Sequence, residues 1–345
     1  MIQNTPAHKR FIDLYLNWKL VQDRLSRYKH IRDAYPLDFL QSCSKSSPYY
    51  CHYLAWRLGT WLDDEFFLYF NDLLEFGASL ENWKNNKSLL SSCIFDDFWG
   101  LLWQLQVAKF FSERNNSDTI WMKSGPDLRI GNGGNIFYVE CYTYRKSFGI
   151  NEFISELFHN IHPQIRVYHS SCIKFSLPRK GVSEIDYFLD QLFKPYLIPE
   201  FLATKLLEAQ IEYPVLLPIP EGIENFKVYL EGDDGSKYVP DKNAAGSPEL
   251  YLEHVIAEAL NNKRNSNQLQ THRPNLLVVN YLLDTDFQMA LNRQLFLSED
   301  MPIPDISNVF DGVLIAACGI NEGLSKSGFQ VTARQNHPVS DLLRS

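Results

Sequence analysis

The feature that most restricts this chain is Gly131-Asn132-Gly133-Gly134, set between two short runs, "PDLRI" and "IFYVECYTY". The runs are rich in β-branched and aromatic residues, and glycine permits the backbone angles of a tight reversal, so the pattern predicts a β-hairpin. A hairpin needs a covered face to be stable. The segment before it can supply the cover: "IFDDFWGLLWQLQVAKFFSE", about 94 to 113, predicts a helix. Phe98, Leu101, Leu102, Leu105 and Ala108 form one stripe, which Trp99, Trp103, Phe110 and Phe111 widen. A helix apolar on most sides is buried on most sides. "TIWMKS" adds a short strand between helix and hairpin.

Either side of this unit the pattern changes. Residues 6 to about 90 predict helices, with Gly59 read as a break and Phe76-Gly77 as a C-terminal stop. Residues 151 to 162 return to helical phase through Phe153, Ile154, Leu157, Phe158 and Ile161, and "CIKFSLP" predicts another strand. Farther on, "EIDYFLDQLF" and "EFLATKLLEAQ" predict helices and "NFKVYLEG" a strand. Ser247-Pro248 suits the start of the helix "ELYLEHVIAEALNNKR". The continuous apolar runs "NLLVVNYLL" and "DGVLIAACG" suit central strands covered on both faces. The expected class is α/β. An all-helical N-terminal region, 1–90, precedes a domain over 91–345 with a mixed sheet flanked by helices.

At 345 residues, with 45% hydrophobic and 14% aromatic content, the chain can build a large core. Its net charge of -8 argues against a general nucleic-acid binder but leaves room for a local basic groove. The six cysteines, 43, 51, 93, 141, 172 and 318, include no CxxC pair, which predicts free thiols in a reducing cytoplasm. No apolar run reaches about 18 residues, so no membrane span is expected. The polar start after Met1 predicts no secretory signal.

Alternation along the hairpin gives it chemical interest. Tyr138, Glu140 and Tyr142 share one strand face, Asp127 and Arg129 share a face of the preceding strand, and the turn can bring Asp127 beside Glu140. Adjacent carboxylates repel and call for a proton or a cation. A hard divalent ion meets that need with oxygen ligands and water, and can orient a hydrolytic water on a phosphodiester.

The sequence Pro126-Asp127, a hairpin, then Glu140-Cys141-Tyr142, between a long helix and a further helix and strand, resembles the PD-(D/E)XK nuclease superfamily in its αβββαβ order. The resemblance covers roughly 94 to 178, and loosely extends toward "HVIAEALNNKRNSNQLQTHRPNLLVVNYLL". It implies a restriction endonuclease-like fold and a hydrolase acting on DNA or RNA. Asp127 and Glu140 would be the acids that bind Mg²⁺ or Mn²⁺, and the Cys141 carbonyl would be a further ligand. The chain departs from the family twice. Tyr142 stands where a lysine is expected, and Gln104 where the first helix would carry an acid. A phenol with pKa near 10 supplies no cation. Lys146, Lys109 and Arg129 are replacement candidates, although Lys146 lies about 13 Å beyond Tyr142 along a regular strand. The same fold without catalysis would be a nucleic-acid or protein binding module, and the aromatic helical region could itself receive a protein partner.

Other candidates read more simply as structure. His159 and His162, with His169 beyond, suit a helix C-terminus better than a zinc site. Cys43, Cys51 and His52 suit a buried aromatic surround. Lys174, Arg179 and Lys180 suit a solvated edge, and Lys263, Arg264 and Gln268 the end of a helix.

Overall fold

A computed structural model describes residues 16–45, 52–60, 64–83, 90, 95–115, 118–122, 125–132, 134–143, 165–169, 215–217, 226–230, 272–280, 310–318 and 328–333. The first part is helical: α1 (Trp18–Leu25), α2 (Lys29–Ala34), α3 (Leu37–Lys45), α4 (Tyr53–Thr60) and α5 (Glu65–Ser79). Asn17 starts α1 by accepting the Leu20 N–H on its side chain at 3.1 Å. Arg24, buried, closes α4 by donating to the Leu58 carbonyl at 2.9 Å. Arg57, fully buried, donates to the Tyr53 hydroxyl at 2.6 Å and lies over the Tyr53 and Phe66 rings.

Two glycines expected to stop helices do something else. Gly59 lies inside α4, where a Cβ would collide with the Leu16 side chain. Gly77 lies inside α5, where a Cβ would come within 2.7 Å of both Leu105 and Trp83. Each is a notch that lets a neighbouring element approach. The helix α5 ends at Ser79, where the Leu80 N–H returns to the Gly77 carbonyl at 3.0 Å.

The long helix forms as expected, as α6 (Phe95–Asn115). From 98 to 111 every position is buried except Gln104 and Lys109, which are half-buried. One hydrophobic cluster runs from Leu16 in the helical region, through α6, to Cys318 beyond the sheet. The chain after α5 also joins the sheet directly: Glu81 bridges Ile120, and the Trp121 N–H donates to the Glu81 carbonyl at 3.3 Å.

The strands are β1 (Asp118–Trp121), β2 (Leu128–Asn132), β3 (Asn135–Thr143), β4 (Ile165–His169), β5 (Val215–Leu217), β6 (Phe226–Leu230), β7 (Asn275–Asn280), β8 (Gly312–Ala317) and β9 (Gly328–Ala333). Six form a mixed sheet in the order β1-β2-β3-β7-β8-β9, with β3, β7 and β8 parallel and the other neighbours antiparallel. The hairpin closes between Asn132 and Asn135, and Gly134 within it has φ of 88°. The protein is therefore α/β. A separate antiparallel sheet, β4-β6-β5, was not foreseen, nor were the strands β4, β5 and β9.

The strand beside β3 on its second edge is β7. A strand has two edges, and β2 and β7 occupy both edges of β3. The segments 151–162, 172–178, 184–193, 200–210 and 249–264, where a strand and helices are expected, lie outside the described residues. β7 is buried on both faces, as its apolar run requires. Its ends are tied by side chains. The buried Asp311 carboxylate accepts from Arg273 and from the Asn275 N–H, each at 2.9 Å. Asn280 donates to the Cys318 carbonyl at 2.9 Å and accepts its N–H at 3.1 Å. On one face Phe137, Val139, Cys141, Leu276 and Val278 join the α6 cluster, and Trp103 donates to the Val278 carbonyl at 3.3 Å.

Gly77→Ala tests the notch. Overfilling it is expected to cost about 1–3 kcal/mol, against a helix-propensity gain of about 1 kcal/mol. The urea midpoint should fall; a rise would show that Leu105 and Trp83 yield freely.

Candidate functional site

Pro126 sets the site. The β2–β3 register pairs Leu128 with Val139, and two residues farther it would set Pro126 against Cys141. Proline has no N–H to offer the Cys141 carbonyl, so one of the two bonds of that pair cannot form. The Cys141 N–H, for its part, donates to Asp127 Oδ2 at 2.8 Å. The Asp127 side chain thus takes the part of a strand carbonyl. Its backbone keeps register with the β1 side, where its carbonyl accepts from Met122 at 3.0 Å. The N–H and C=O of one strand residue point to the same side. The Cys141 carbonyl therefore turns toward the same gap.

Glu140 occupies the position that this register opposes to Asp127, and it is only 3% exposed. The Tyr138 N–H donates to the Pro274 carbonyl at 2.9 Å, so even-numbered β3 residues direct their backbone groups toward β7. Toward β2 these positions form non-hydrogen-bonded pairs, in which facing side chains are closest. The register thus sets the two predicted acids at facing positions, and the bond from Asp127 to the next residue, Cys141, fixes one of them.

Gln104 joins them from α6, donating Nε2 to Asp127 Oδ1 at 2.8 Å. An ionised carboxylate only accepts, which fixes which end of the amide faces it. The other end, Oε1, is buried with no hydrogen-bond partner among the described residues. The half-buried position of Gln104 in an otherwise covered helix is explained by this bond.

These groups fit a hard divalent cation. The Asp127 and Glu140 carboxylates, the Cys141 carbonyl and Gln104 Oε1 are all oxygen donors, the set preferred by Mg²⁺ and Mn²⁺ over softer metals. Among the described residues no group of three or more His, Cys, Asp or Glu side chains gathers to hold a metal. An ion here would draw on two carboxylates, neutral oxygens and water.

The other candidates scatter. Tyr142 is half-buried opposite Val279, on Glu140's face. Lys109 forms an i,i+4 ion pair with Glu113 at 3.8 Å, more than a turn along α6 from Gln104. Arg129 is half-buried opposite Tyr138. Lys146, His159, His162, Lys174, Arg179, Lys180, Lys263, Arg264, Gln268 and Cys51 lie outside the described residues. His169 ends β4, opposite Phe226.

His52 is buried among Tyr35, Phe39 and Phe98, and its Nδ1 accepts the Leu54 N–H at the start of α4 at 3.1 Å. That is a structural role. Cys43 corrects the thiol expectation: it is disulfide-bonded to a cysteine outside the described residues, whereas Cys141 and Cys318 are buried thiols outside any disulfide. Wide spacing in sequence says little about which sulfurs meet in space. No helix among the described residues is long and apolar enough to cross a membrane.

Sequence reasoning missed His272. Its ring meets Tyr138 edge-on at 4.9 Å between centroids. It also lies against Gly125, where a Cβ would come within 3.4 Å of the imidazole. Gly125 has φ of 90°, a backbone angle that calls for glycine. The residues leading into Asp127 thus rest on the residues leading into β7. The available signal was the polar "THRPN" directly before an apolar strand.

The double acceptance by Asp127 gives it a structural role. Asp127→Ala should lose about 1–3 kcal/mol by leaving buried donors unmet. Asp127→Asn should lose less, because its amide can keep both bonds if Gln104 turns over. Urea denaturation of the two variants reads the difference; equal losses would contradict the bonding described. Compared with family models, curated proteins and solved structures, the chain finds no match.

Proposed function

We propose that this protein is a metal-dependent nuclease of the PD-(D/E)XK type, with a restriction endonuclease-like sheet, hydrolysing phosphodiester bonds of DNA or RNA. The observation that carries the reading is the Asp127 carboxylate at a proline-ended strand, bonded to the Cys141 N–H and to Gln104, at the register position facing Glu140. Asp127 and Glu140, with the Cys141 carbonyl, would hold Mg²⁺ or Mn²⁺. When bound, such an ion supplies charge neutralisation at the phosphate and a more acidic water. Gln104 fixes the Asp127 carboxylate with its amide N–H and leaves Oε1 as an acceptor for a water proton. Burial of Glu140 strengthens its electrostatic interaction with any cation brought beside it.

Tyr142 favours a second reading. A half-buried phenol at the lysine position gives the attacking water no cation, and Gln104 removes a third acid. On that reading the same site binds a nucleic acid or protein without cutting it.

Calorimetry with Mn²⁺, followed by incubation with supercoiled DNA and single-stranded RNA, separates the two. For the nuclease, wild type binds Mn²⁺ and cleaves one substrate, and Asp127→Asn and Glu140→Gln each lower cleavage at least about a hundredfold, the scale on which metal-site groups act. Cleavage by Asp127→Asn at the wild-type rate would sink the assignment. Carboxylate-dependent Mn²⁺ binding without cleavage would favour the binding module.

A further inference from the structure

We infer that Arg129 is the anion-binding group of this site and contacts the phosphodiester of the substrate. The inference rests on the phosphodiester reading of Asp127 and Glu140 and deepens it. Arg129 lies in the middle of β2, with β1 paired on one side and β3 on the other, so its backbone is fixed on both edges. Its register partner is Tyr138, in a non-hydrogen-bonded pair, and Glu140 is the diagonal neighbour on the same face. By alternation Arg129 shares the face of Glu140, while the Asp127 carboxylate, ahead of β2, lies in the ladder gap between the Cys141 N–H and Gln104 of α6. The shared face is opposite the one packed against α6.

Arg129 is half-buried as a residue and makes no hydrogen bond or ion pair among the described residues. This is informative because a carboxylate is within diagonal reach. An arginine diagonal to a glutamate on one sheet face commonly pairs with it, since opposite charges on neighbouring strands attract. Here the acid and the base share a face and stay apart. A phosphodiester joined to a cation on the carboxylates would present its remaining oxygens to the guanidinium, whose planar fork suits phosphate. Tyr138, the register partner of Arg129, is itself met edge-on by His272. Arg129 thereby provides positive charge that the phenol of Tyr142 lacks. It does so as a permanent charge, with no proton to exchange.

The test uses the full chain and a fluorescein-labelled oligonucleotide, presented as single-stranded DNA, duplex DNA and single-stranded RNA in Ca²⁺. Anisotropy is followed across a salt series. Wild type should bind at least one form. Arg129→Ala should weaken that binding about tenfold and lower the salt slope by about one, as for a lost phosphate contact. Arg129→Lys should keep the slope. Arg129→Gln preserves side-chain length and gives the same reading if the alanine variant does not fold. Wild-type affinity and slope in the alanine or glutamine variant, or no binding of any form by wild type, overturns the inference. Cleavage in Mn²⁺ is scored separately. Loss of cleavage in Asp127→Asn with unchanged binding in Arg129→Ala leaves the nuclease reading and removes Arg129. Weakened binding in Arg129→Ala with no cleavage by wild type does the reverse.

Discussion

The burial of α6 is the constraint on which the rest depends. One side of this helix packs on α5, where Gly77 makes room for Leu105, and another packs on the sheet, where Trp103 bonds to β7. A segment so apolar cannot be left at a surface. The helical region and the sheet therefore cannot be stable around it independently, and the hydrophobic cluster passes through both. Gln104 is tolerated inside this helix because Asp127 receives its amide. The candidate site is in that sense the polar exception within an apolar interface.

What the sequence reveals is what local pattern governs. The hairpin was legible because glycines and β-branched residues act over a few positions, and α6 because its apolar residues recur on nearly every face. β7 was legible as a buried strand but not as the neighbour of β3, since pairing between Cys141 and Val278 is a matter of topology. Gly59 and Gly77 were misread for a related reason. Glycine at a helix end and glycine at a helix crossing look alike until the second helix is known. β4 and β5 are short, and the alternation of Phe329, Val331 and Ala333 with Gln330 and Thr332 was the signal for β9.

The site divides along the same line. Asp127 and Glu140 were legible because proline, turn and alternation fix their register. Gln104 was legible as a position on the helix, but its amide orientation depends on which oxygen Asp127 offers. His272 was hidden, since its neighbours Gly125 and Tyr138 are remote in sequence. Cys43 was hidden likewise. Asp127 also completes the strand ladder with its side chain, accepting the Cys141 N–H that a backbone carbonyl would otherwise take.

The placement of β7 has a consequence for the order of synthesis. A ribosome completes the helical region, α6 and the hairpin long before it reaches Asn275. Until then the edge of β3 that carries the Tyr138 N–H has no β7 to receive it, and an unpaired strand edge is a template for pairing with other chains. The nascent chain must wait through the segment from Thr143 to Asn275 before Pro274 and β7 arrive. Loop closure over such a span is slow relative to local folding. The two acids can meet early, because the hairpin is local. The wall that carries His272 comes late, so an incomplete chain would hold the acids without the histidine.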